Sequence, residues 1–178
     1  MRYPVAARIE SSPMRAVIAS TAIDAPRERV HELLLDLSVR PSFTDHFLDD
    51  YRMVRTDPVG VGAGARFRVK NTGGWMDSVI ATVEAPYKIS EKGHSGRLNR
   101  VPTFTVWELV EQPGPGGCEL QITFWTEPDS PFDKIRERSL KRKLARGWKK
   151  TAERLKALVE GGGAVEHVGI GGESRLGL

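Results

Sequence analysis

The stretch Pro131–Glu160, PFDKIRERSLKRKLARGWKKTAERLKALVE, decides the fold of this 178-residue chain. Ser130 precedes it as a helix cap, Pro131 suits the first helical position, and a run of glycines follows Glu160. The spacing predicts one helix of about 45 Å at 1.5 Å per residue. Its apolar stripe, at about 100° per residue, consists of Leu140, Leu144, Trp148, Ala152, Leu155, Leu158 and Val159. Such a stripe requires a large apolar partner surface.

The chain upstream of this helix alternates apolar and polar residues at period two, which is typical of strands. A first strand is predicted over 14–23, a helix opens at Asp24-Ala25-Pro26 and ends near Pro41, and a second helix covers 42–48. Six further strands are predicted over 51–55, 65–70, 75–84, 87–93, 103–111 and 119–126. Short turns between consecutive strands predict an antiparallel meander. Strongly twisted, such a sheet wraps round one long helix, which makes the fold class α+β.

The length suits one domain over 14–160, with a loose lead-in over 1–13 and a flexible glycine-rich tail over 161–178. Cys118 is the only cysteine, so no intrachain disulfide forms and a reducing compartment is indicated. The first 25 residues carry no apolar run of signal-peptide length, and no stretch reaches the length of a membrane span. We therefore expect a soluble, cytoplasmic protein.

The net charge of +4 is unevenly distributed, because the interval 134–156 carries 11 Lys and Arg against two acids. These basic residues lie away from the apolar stripe, as a solvated face or as a docking surface for anionic membrane or RNA. Nucleic acid is disfavoured, since no aromatic side chains for base stacking alternate with them. Phe132 and Ile135 fall opposite the stripe, which predicts that the first turns contact another surface or that the helix bends near Ser139.

The glycine-rich segment Gly60-Val61-Gly62-Ala63-Gly64 has part of the spacing of a dinucleotide-binding loop. A strand follows it, so no helix N-terminus is present to hold a phosphate, and the segment is interpreted as a hairpin turn. No nucleophile motif occurs, and Cys118 has no basic neighbour to activate it. The histidines show no ligand spacing, so neither a metal site nor a cofactor is expected. They are His31, His46, His94 and His167.

Two acids are the candidates for proton transfer. Asp77 shares a strand face with Trp75 and Val79, and on the concave side of the sheet its burial would raise its pKa. The alternative is that Met76 and its neighbours on the other face point inward and leave Asp77 solvated. Glu91 either faces a ligand or pairs with a basic residue of a neighbouring strand.

A set of mainly apolar side chains is predicted to line a ligand pocket between sheet and helix. For Tyr87, Trp107 and Phe124 the alternative is plain core, because aromatic residues at period two more often belong to the core than to a ligand site. With Asp77 and Glu91, the predicted lining consists of Phe43, Phe47, Trp75, Ala81, Tyr87, Trp107, Phe124 and Trp148.

The turns and the terminal helix resemble those of a known superfamily. The features are Ile23-Asp24-Ala25-Pro26 with Val30 behind it, Gly60 to Phe67, and Gly116-Gly117-Cys118-Glu119-Leu120. They resemble the START-like superfamily, also called SRPBCC or Bet v 1-like helix-grip, and within it the polyketide cyclase/dehydrase and lipid-transport branch. The resemblance implies a curved seven-stranded antiparallel sheet round a long C-terminal helix, with two short helices after strand one and an apolar cavity inside.

The same resemblance implies binding, with or without transport, of a hydrophobic small molecule or lipid. A polyketide cyclase or dehydratase using Asp77 or Glu91 is the enzymatic alternative. An interaction module that places its basic helix on anionic membrane or RNA is the third. No catalytic motif is shared across the superfamily, so none is carried over.

Overall fold

The structure is a computed structural model, and the part of the chain that it describes begins at Ala16. The described residues are 16–72, 74–96, 98–112, 116–170 and 174–176. The predicted lead-in 1–13 lies outside them, as do 171–173 and 177–178 of the predicted tail.

Seven strands form one antiparallel sheet in the order β1-β7-β6-β5-β4-β3-β2. Consecutive strands from β2 to β7 are neighbours, as short turns require, and β1 closes on β7. The strands are β1 Val17–Ile23, β2 Leu48–Met53, β3 Gly64–Val69, β4 Trp75–Glu84, β5 Lys88–Ser95, β6 Val101–Glu111 and β7 Cys118–Thr126. The predicted meander is confirmed.

The helices are α1 Arg27–Leu35, a 3₁₀ turn Leu37–Val39, α2 Pro41–Thr44 and α3 Pro131–Gly161. The curved sheet wraps α3, so the predicted helix-grip architecture is confirmed. The prediction was wrong about where the second helix ends. Phe47 N–H bonds back to the Thr44 carbonyl and closes a turn, and Leu48 then pairs with Val69 as the first residue of β2.

Local signals set both ends of α3. Ser130 Oγ accepts a hydrogen bond from Asp133 N at 3.1 Å and donates one to Asp133 Oδ2 at 2.6 Å, which is a cap at the spacing expected. Gly162 ends the helix in the left-handed region, with φ of 61°. No helix in the described part of the chain is both long enough and apolar enough to cross a bilayer.

The apolar stripe of α3 faces the concave side of the sheet, as its period predicted. Leu144, Trp148, Ala152, Leu155 and Val159 are buried there and join one core with the inward residues of the strands. Burial of this kind stabilises by roughly 25 cal/mol per Å² of apolar surface.

The first turns of α3 behave differently from the sequence expectation. Phe132 and Ile135 are 76% and 72% exposed, so the prediction that they contact another surface is wrong. The side of these turns that faces the protein carries Asp133 and Glu137 instead, both buried. Two large apolar side chains are therefore left in solvent at one end of the helix.

A close approach joins α2 to α3. His46 Nε2 donates to the Gly147 carbonyl at 3.0 Å. A Cβ on Gly147 would lie 2.4 Å from the Phe47 ring, so only glycine permits this contact. The segment that carries Phe43 and Phe47 is thereby held against the middle of α3.

A β-bulge in β4 decides which of its residues face the interior. Met76 and Ile80 are buried, so the even-numbered face points inward over the first part of the strand. Ile80 pairs with Glu91 and Thr82 with Ser90, which leaves Ala81 as the extra residue. Beyond this bulge Val83 packs against the core.

Part of the predicted tail lies against the domain. Strands β8 Glu166–Val168 and β9 Ser174–Leu176 pair with each other. Glu166 N–H donates to Ser42 Oγ at 3.1 Å, and Val168 is buried. The predicted flexibility of the tail in solution stays a prediction.

Candidate functional site

A small cavity lies between the inner face of the sheet and the middle of α3. Its volume is about 20 Å³, which is room for one water molecule. Its wall consists of Leu37, Arg40, Thr44, Leu48, Tyr51, Phe67, Met76, Ser78, Glu91, Thr103, Thr105, Phe124 and Trp148, with Asp77 at its edge. The interior is therefore almost filled by the protein's own side chains.

A buried ion pair is the main polar feature of this wall. Arg40, just after the 3₁₀ turn, donates from Nη2 to Glu91 Oε1 on β5 at 2.8 Å. The two side chains are only 5% and 4% exposed. Trp107 Nε1 donates to the same oxygen at 2.7 Å, and Ser78 Oγ donates to Oε2 at 2.8 Å. Three donors thus converge on Glu91, whose oxygens act as acceptors.

Arg40 is held by several groups and still has an unused donor. Nη2 also donates to the Leu34 carbonyl at 3.1 Å, and the guanidinium lies 4.4 Å from the Trp107 ring centre. Its Nε is buried and has no hydrogen-bond partner among the described residues. The indole Nε1 of Trp148 is in the same state. Two side chains of the cavity wall therefore carry buried donors without an acceptor, which native proteins rarely tolerate unless water or a ligand supplies one.

An ion pair in an apolar interior is costly to form. Desolvation of both groups offsets most of their attraction, so a hydrophobic pair of similar size is often at least as stable. Arg40 and Glu91 therefore do not contribute to the fold in proportion to their contacts. Their geometry instead suits the positioning of a hydrogen-bond donor, because Glu91 holds the Arg40 guanidinium in one orientation within the cavity wall.

Tyr51 closes the cavity on the β2 side. Its hydroxyl donates to the Leu37 carbonyl at 2.9 Å, and its ring stacks on Phe67 with centres 5.5 Å apart. Burial raises the pKa of Tyr51 well above its ordinary value, and the nearby Arg40 only partly opposes this. Tyr51 is thus a fixed hydrogen-bond donor and not a source of protons for chemistry.

An aromatic cluster forms the α3 side of the site. The Trp148 ring centre lies 5.4 Å from that of Phe47, 5.6 Å from Trp107 and 5.6 Å from Phe124. Trp148 and Phe124 line the cavity directly, whereas Trp107 reaches it through Glu91 and Arg40. Phe43 is fully buried in the core, 5.7 Å from the Arg40 guanidinium. The structure therefore brings these predicted residues together round the ion pair.

Asp77 is not placed as the sequence hypothesis required. Its carboxylate accepts from the backbone N–H of exposed His94 at 2.7 Å and from the side chain of Asn99. It lies on the face of β4 opposite Met76 and Ser78, because alternate residues of a strand point to opposite faces. The prediction that the odd-numbered face of β4 points inward is therefore wrong, and Asp77, with its side chain 27% exposed, reaches the cavity only at its edge.

Three other predicted lining residues do not border this interior cavity. Trp75 is on the outer face of β4, with the guanidiniums of Arg52, Arg66 and Arg68 between 4.8 and 5.3 Å from its ring. Ala81 is the extra residue of the bulge. Tyr87, 51% exposed, lies under the Arg27 guanidinium at the end of β4 and β5. For Trp75 and Ala81 the odd-numbered face of β4 was wrongly interpreted as the inner one, whereas Tyr87 lies in the turn before β5.

Several wall residues were not singled out from the sequence. Ser78 lies on the same face of β4 as Met76 and Ile80, so it would have been predicted as a wall residue if that face had been taken as the inner one. Thr103 and Thr105 belong to an inward face already recognised through Trp107. Arg40 lies in a segment without a regular period, and no local signal indicates that it is buried beside Glu91, 51 positions away.

A family model described as polyketide cyclase/dehydrase and lipid transport matches residues 14–160. The chain belongs to this family. No curated protein sequence matches it. The family assignment agrees with the helix-grip architecture and makes the interior between sheet and α3 the site to examine.

Solved structures show the same fold at low sequence identity. A protein from Chromobacterium violaceum is 19% identical with a TM-score of 0.58, over 82% of this chain and 97% of that one. A protein from Thermus thermophilus is 17% identical with a TM-score of 0.60, over 83% and 99%. A START superfamily protein from Mycobacterium smegmatis is 13% identical with a TM-score of 0.60, over 83% and 99%. At these identities the likeness concerns the fold alone.

In this member of the polyketide cyclase/dehydrase and lipid transport family, the interior cavity has a neighbour towards solvent. This second cavity, also about 20 Å³, lies between the first turns of α3 and the ends of β3, β4 and β5. Met76 and Phe124 border both cavities and separate them. Because methionine is flexible, a rotation of Met76 is the simplest way to join the two spaces.

Glu137 lines this second cavity, buried on the first turns of α3. Burial raises the pKa of its carboxyl above the ordinary value; a hydrogen bond from Thr126 and the charge of Arg136 oppose the rise. A raised pKa means that the folded state prefers the protonated acid. The resulting stabilisation is present below the pKa of an unfolded glutamate, about 4.3, and is lost as the pH rises through the folded value.

Glu137→Gln should therefore be more stable than the parent protein at pH about 7 and nearly equal to it at pH about 3, where the Glu137 carboxyl is protonated in both the folded and the unfolded state. Urea denaturation at the two pH values measures this difference. Glu153→Gln, at an exposed position of the same helix, is the matched control and should show no such trend. An advantage that is the same at both pH values would contradict the prediction.

A separate surface pocket of about 350 Å³ lies between α1, the C-terminal end of α3 and the segment before β8. Asp36 and His167 line it, and Ser38 Oγ is 2.6 Å from Asp36 Oδ1 and 2.9 Å from His167 Nδ1. Ser38 Oγ donates its hydroxyl proton to the Asp36 carboxylate, so the tautomer of His167 that completes this arrangement donates from Nδ1 to Ser38 Oγ. Ser38 is consequently not activated by a base, although a serine, a histidine and an aspartate meet here.

Proposed function

We propose that the protein binds a hydrophobic small molecule or lipid in its interior, with an oxygen atom of the ligand accepting a hydrogen bond from Arg40. The observation that carries this is the buried donor on Arg40 Nε, which has no partner among the described residues and belongs to a side chain of the cavity wall. The unpaired indole Nε1 of Trp148 supports the same chemistry.

The ligand's apolar part would occupy space opened by movement of Met76. The two small cavities that Met76 and Phe124 separate would then form one compartment, bordered by Leu144 on the α3 side. Apolar surface removed from water supplies the driving force at roughly 25 cal/mol per Å². The hydrogen bond to a charged donor supplies orientation, worth about 1.5–3 kcal/mol.

Binding is tested with two probes of nearly equal shape, acetylnaphthalene, which has a carbonyl acceptor, and ethylnaphthalene, which has none. We expect acetylnaphthalene to bind about tenfold tighter or better, as a charge-assisted hydrogen bond implies. Thr105→Leu, which fills the cavity, should weaken both probes, whereas Ala81→Leu at the bulge should leave both unchanged. Native mass spectrometry of freshly purified protein checks for a co-purifying ligand.

Equal affinity for the two probes would remove Arg40 from the proposal. If neither probe binds and purified protein carries no apolar ligand, the proposal of interior binding is wrong. A structure with Met76 unmoved in the presence of bound probe would exclude the opening described above.

A further inference from the structure

We propose that the N-terminal half of α3 and the groove beside it dock on an anionic lipid membrane. The groove, of about 960 Å³, runs between the first turns of α3, the outer face of β4 and the segment that joins β5 to β6. The name docking face is used here for Leu98, Phe132 and Ile135 together with the basic residues Arg66, Arg100 and Arg136.

The apolar part of the docking face is concentrated in one place. Leu98 is 84% exposed, Phe132 76% and Ile135 72%. Leu98 and Phe132 line the same groove, and Ile135 follows Phe132 by three positions on α3, so the two are neighbours on the helix surface. Single exposed apolar residues need no explanation, but a cluster of large ones marks an interaction site.

Positive charge surrounds these side chains. Arg100 pairs with Asp133 at 3.2 Å, whereas neither Arg66 nor Arg136 makes an ion pair within the described residues. Along α3 the basic residues Arg138, Arg142 and Arg146 are exposed. At 100° per residue they fall on the same side as Phe132 and Ile135. Apolar tips with flanking arginines are the composition of a helix that lies at a membrane surface.

Membrane fits this face better than nucleic acid. Single-stranded nucleic acid stacks successive bases on several aromatic rings, but Phe132 is the one open ring of the docking face, and three guanidiniums already lie within 5.3 Å of the Trp75 ring. Leu98 and Ile135 have neither a ring to stack on a base nor a group to hydrogen-bond it, but as aliphatic side chains they can insert into the acyl region beneath lipid headgroups. The arginines match the phosphates of those headgroups.

The position of the docking face connects it with the interior. The groove shares Gly74, Trp75, Gly96 and Arg136 with the outer of the two small cavities, and that cavity shares Met76 with the inner one. A docked protein would therefore present the mouth of its interior to the bilayer, from which an apolar ligand could enter without crossing water. This consequence rests on the proposed function, whereas docking itself does not.

The test is flotation of the purified full-length protein with vesicles of phosphatidylcholine alone and of phosphatidylcholine mixed with phosphatidylserine. We expect binding to the mixed vesicles that weakens with salt, as surface electrostatics requires. Phe132→Ser/Ile135→Ser should reduce the affinity about tenfold or more, a loss on the scale of the apolar burial removed. Arg138→Gln/Arg142→Gln should reduce binding to mixed vesicles only.

The matched control is Ile18→Ser/Val110→Ser, which removes two exposed apolar residues, 64% and 59% accessible, from β1 and β6. This control should float like the parent protein. Equal loss in both double variants, or no vesicle binding by the parent protein, overturns the proposal. Binding to a single-stranded RNA oligomer that Arg138→Gln/Arg142→Gln weakens, without flotation, would overturn the membrane proposal and assign the face to nucleic acid. Flotation without binding of naphthalene probes would leave docking in place and refute the interior site alone.

Discussion

Replacing Arg40 with methionine is expected to lower the free energy of unfolding by about 3–5 kcal/mol, the usual cost of leaving one member of a buried ion pair alone. Glu91 would then lie in the core with Trp107 and Ser78 as its remaining donors. Denaturant titration of the purified variant measures the loss. This loss measures the cost of leaving the Glu91 carboxylate unpaired in the core, and it is not the net contribution of the ion pair to stability.

The double variant Arg40→Met/Glu91→Met separates these two quantities. Two methionines fill a similar volume without buried charge, so stability should return close to that of the parent protein or exceed it. The same double variant should abolish the preference for acetylnaphthalene over ethylnaphthalene. A stable protein that has lost only ligand discrimination would indicate that the pair is retained for binding.

The control for charge removal is Arg68→Met, because Arg68 pairs with Asp50 at 3.1 Å on the surface, with both side chains well exposed. Its loss should be under about 1 kcal/mol. If Arg40→Met costs no more than Arg68→Met, the ion pair in the interior is not buried in solution as described. A double variant clearly less stable than the parent protein would show that the pair contributes net stability.

Trp148→Ala is expected to cost about 3–5 kcal/mol, the range for deleting a large buried aromatic side chain. Trp148 meets three rings from three other parts of the chain, Phe47, Trp107 and Phe124, all within 5.6 Å between ring centres. A cavity at this point would loosen the contact between α3 and the sheet. Denaturant titration again measures the change.

Lys149→Ala is the matched control for this second variant, since Lys149 is the next residue of α3 and is exposed. Its effect should be within about 0.5 kcal/mol. A loss below about 1 kcal/mol for Trp148→Ala would mean that the aromatic cluster does not hold the helix to the sheet.

The architecture followed from local sequence, because its determinants act over a few residues. The Ser130 cap, the apolar spacing from Leu144 to Val159 and the left-handed Gly162 specify α3 without help from the rest of the chain. Alternation and turn glycines specify the strands in the same way. Where a four-residue helix met a strand start, at Thr44 and Leu48, the local signals were too short to place the boundary.

The candidate site depended on contacts that no local pattern contains. Alternation in β4 defines two faces of the strand but does not say which one points inward. The bulge at Ala81 also changes the inward face from even-numbered to odd-numbered residues partway along the strand. Because Met76 and Ile80 pack in the core, Asp77 lies on the opposite, outer face of β4. Phe132 and Ile135 stayed exposed because the turns they occupy bury Asp133 and Glu137 instead.

Sequence by itself determined the helix-grip fold and the inward positions of Trp107 and Trp148, since burial follows the period of each element. It left open whether Glu91 faces a ligand or pairs with a basic residue. Only the tertiary structure decided that Arg40 joins Glu91, because the partners lie 51 positions apart and Arg40 belongs to a segment without a period. Pairing across such a distance is set by how the 3₁₀ turn packs over the open side of the sheet. A site built from long-range contacts is visible only once the chain is folded.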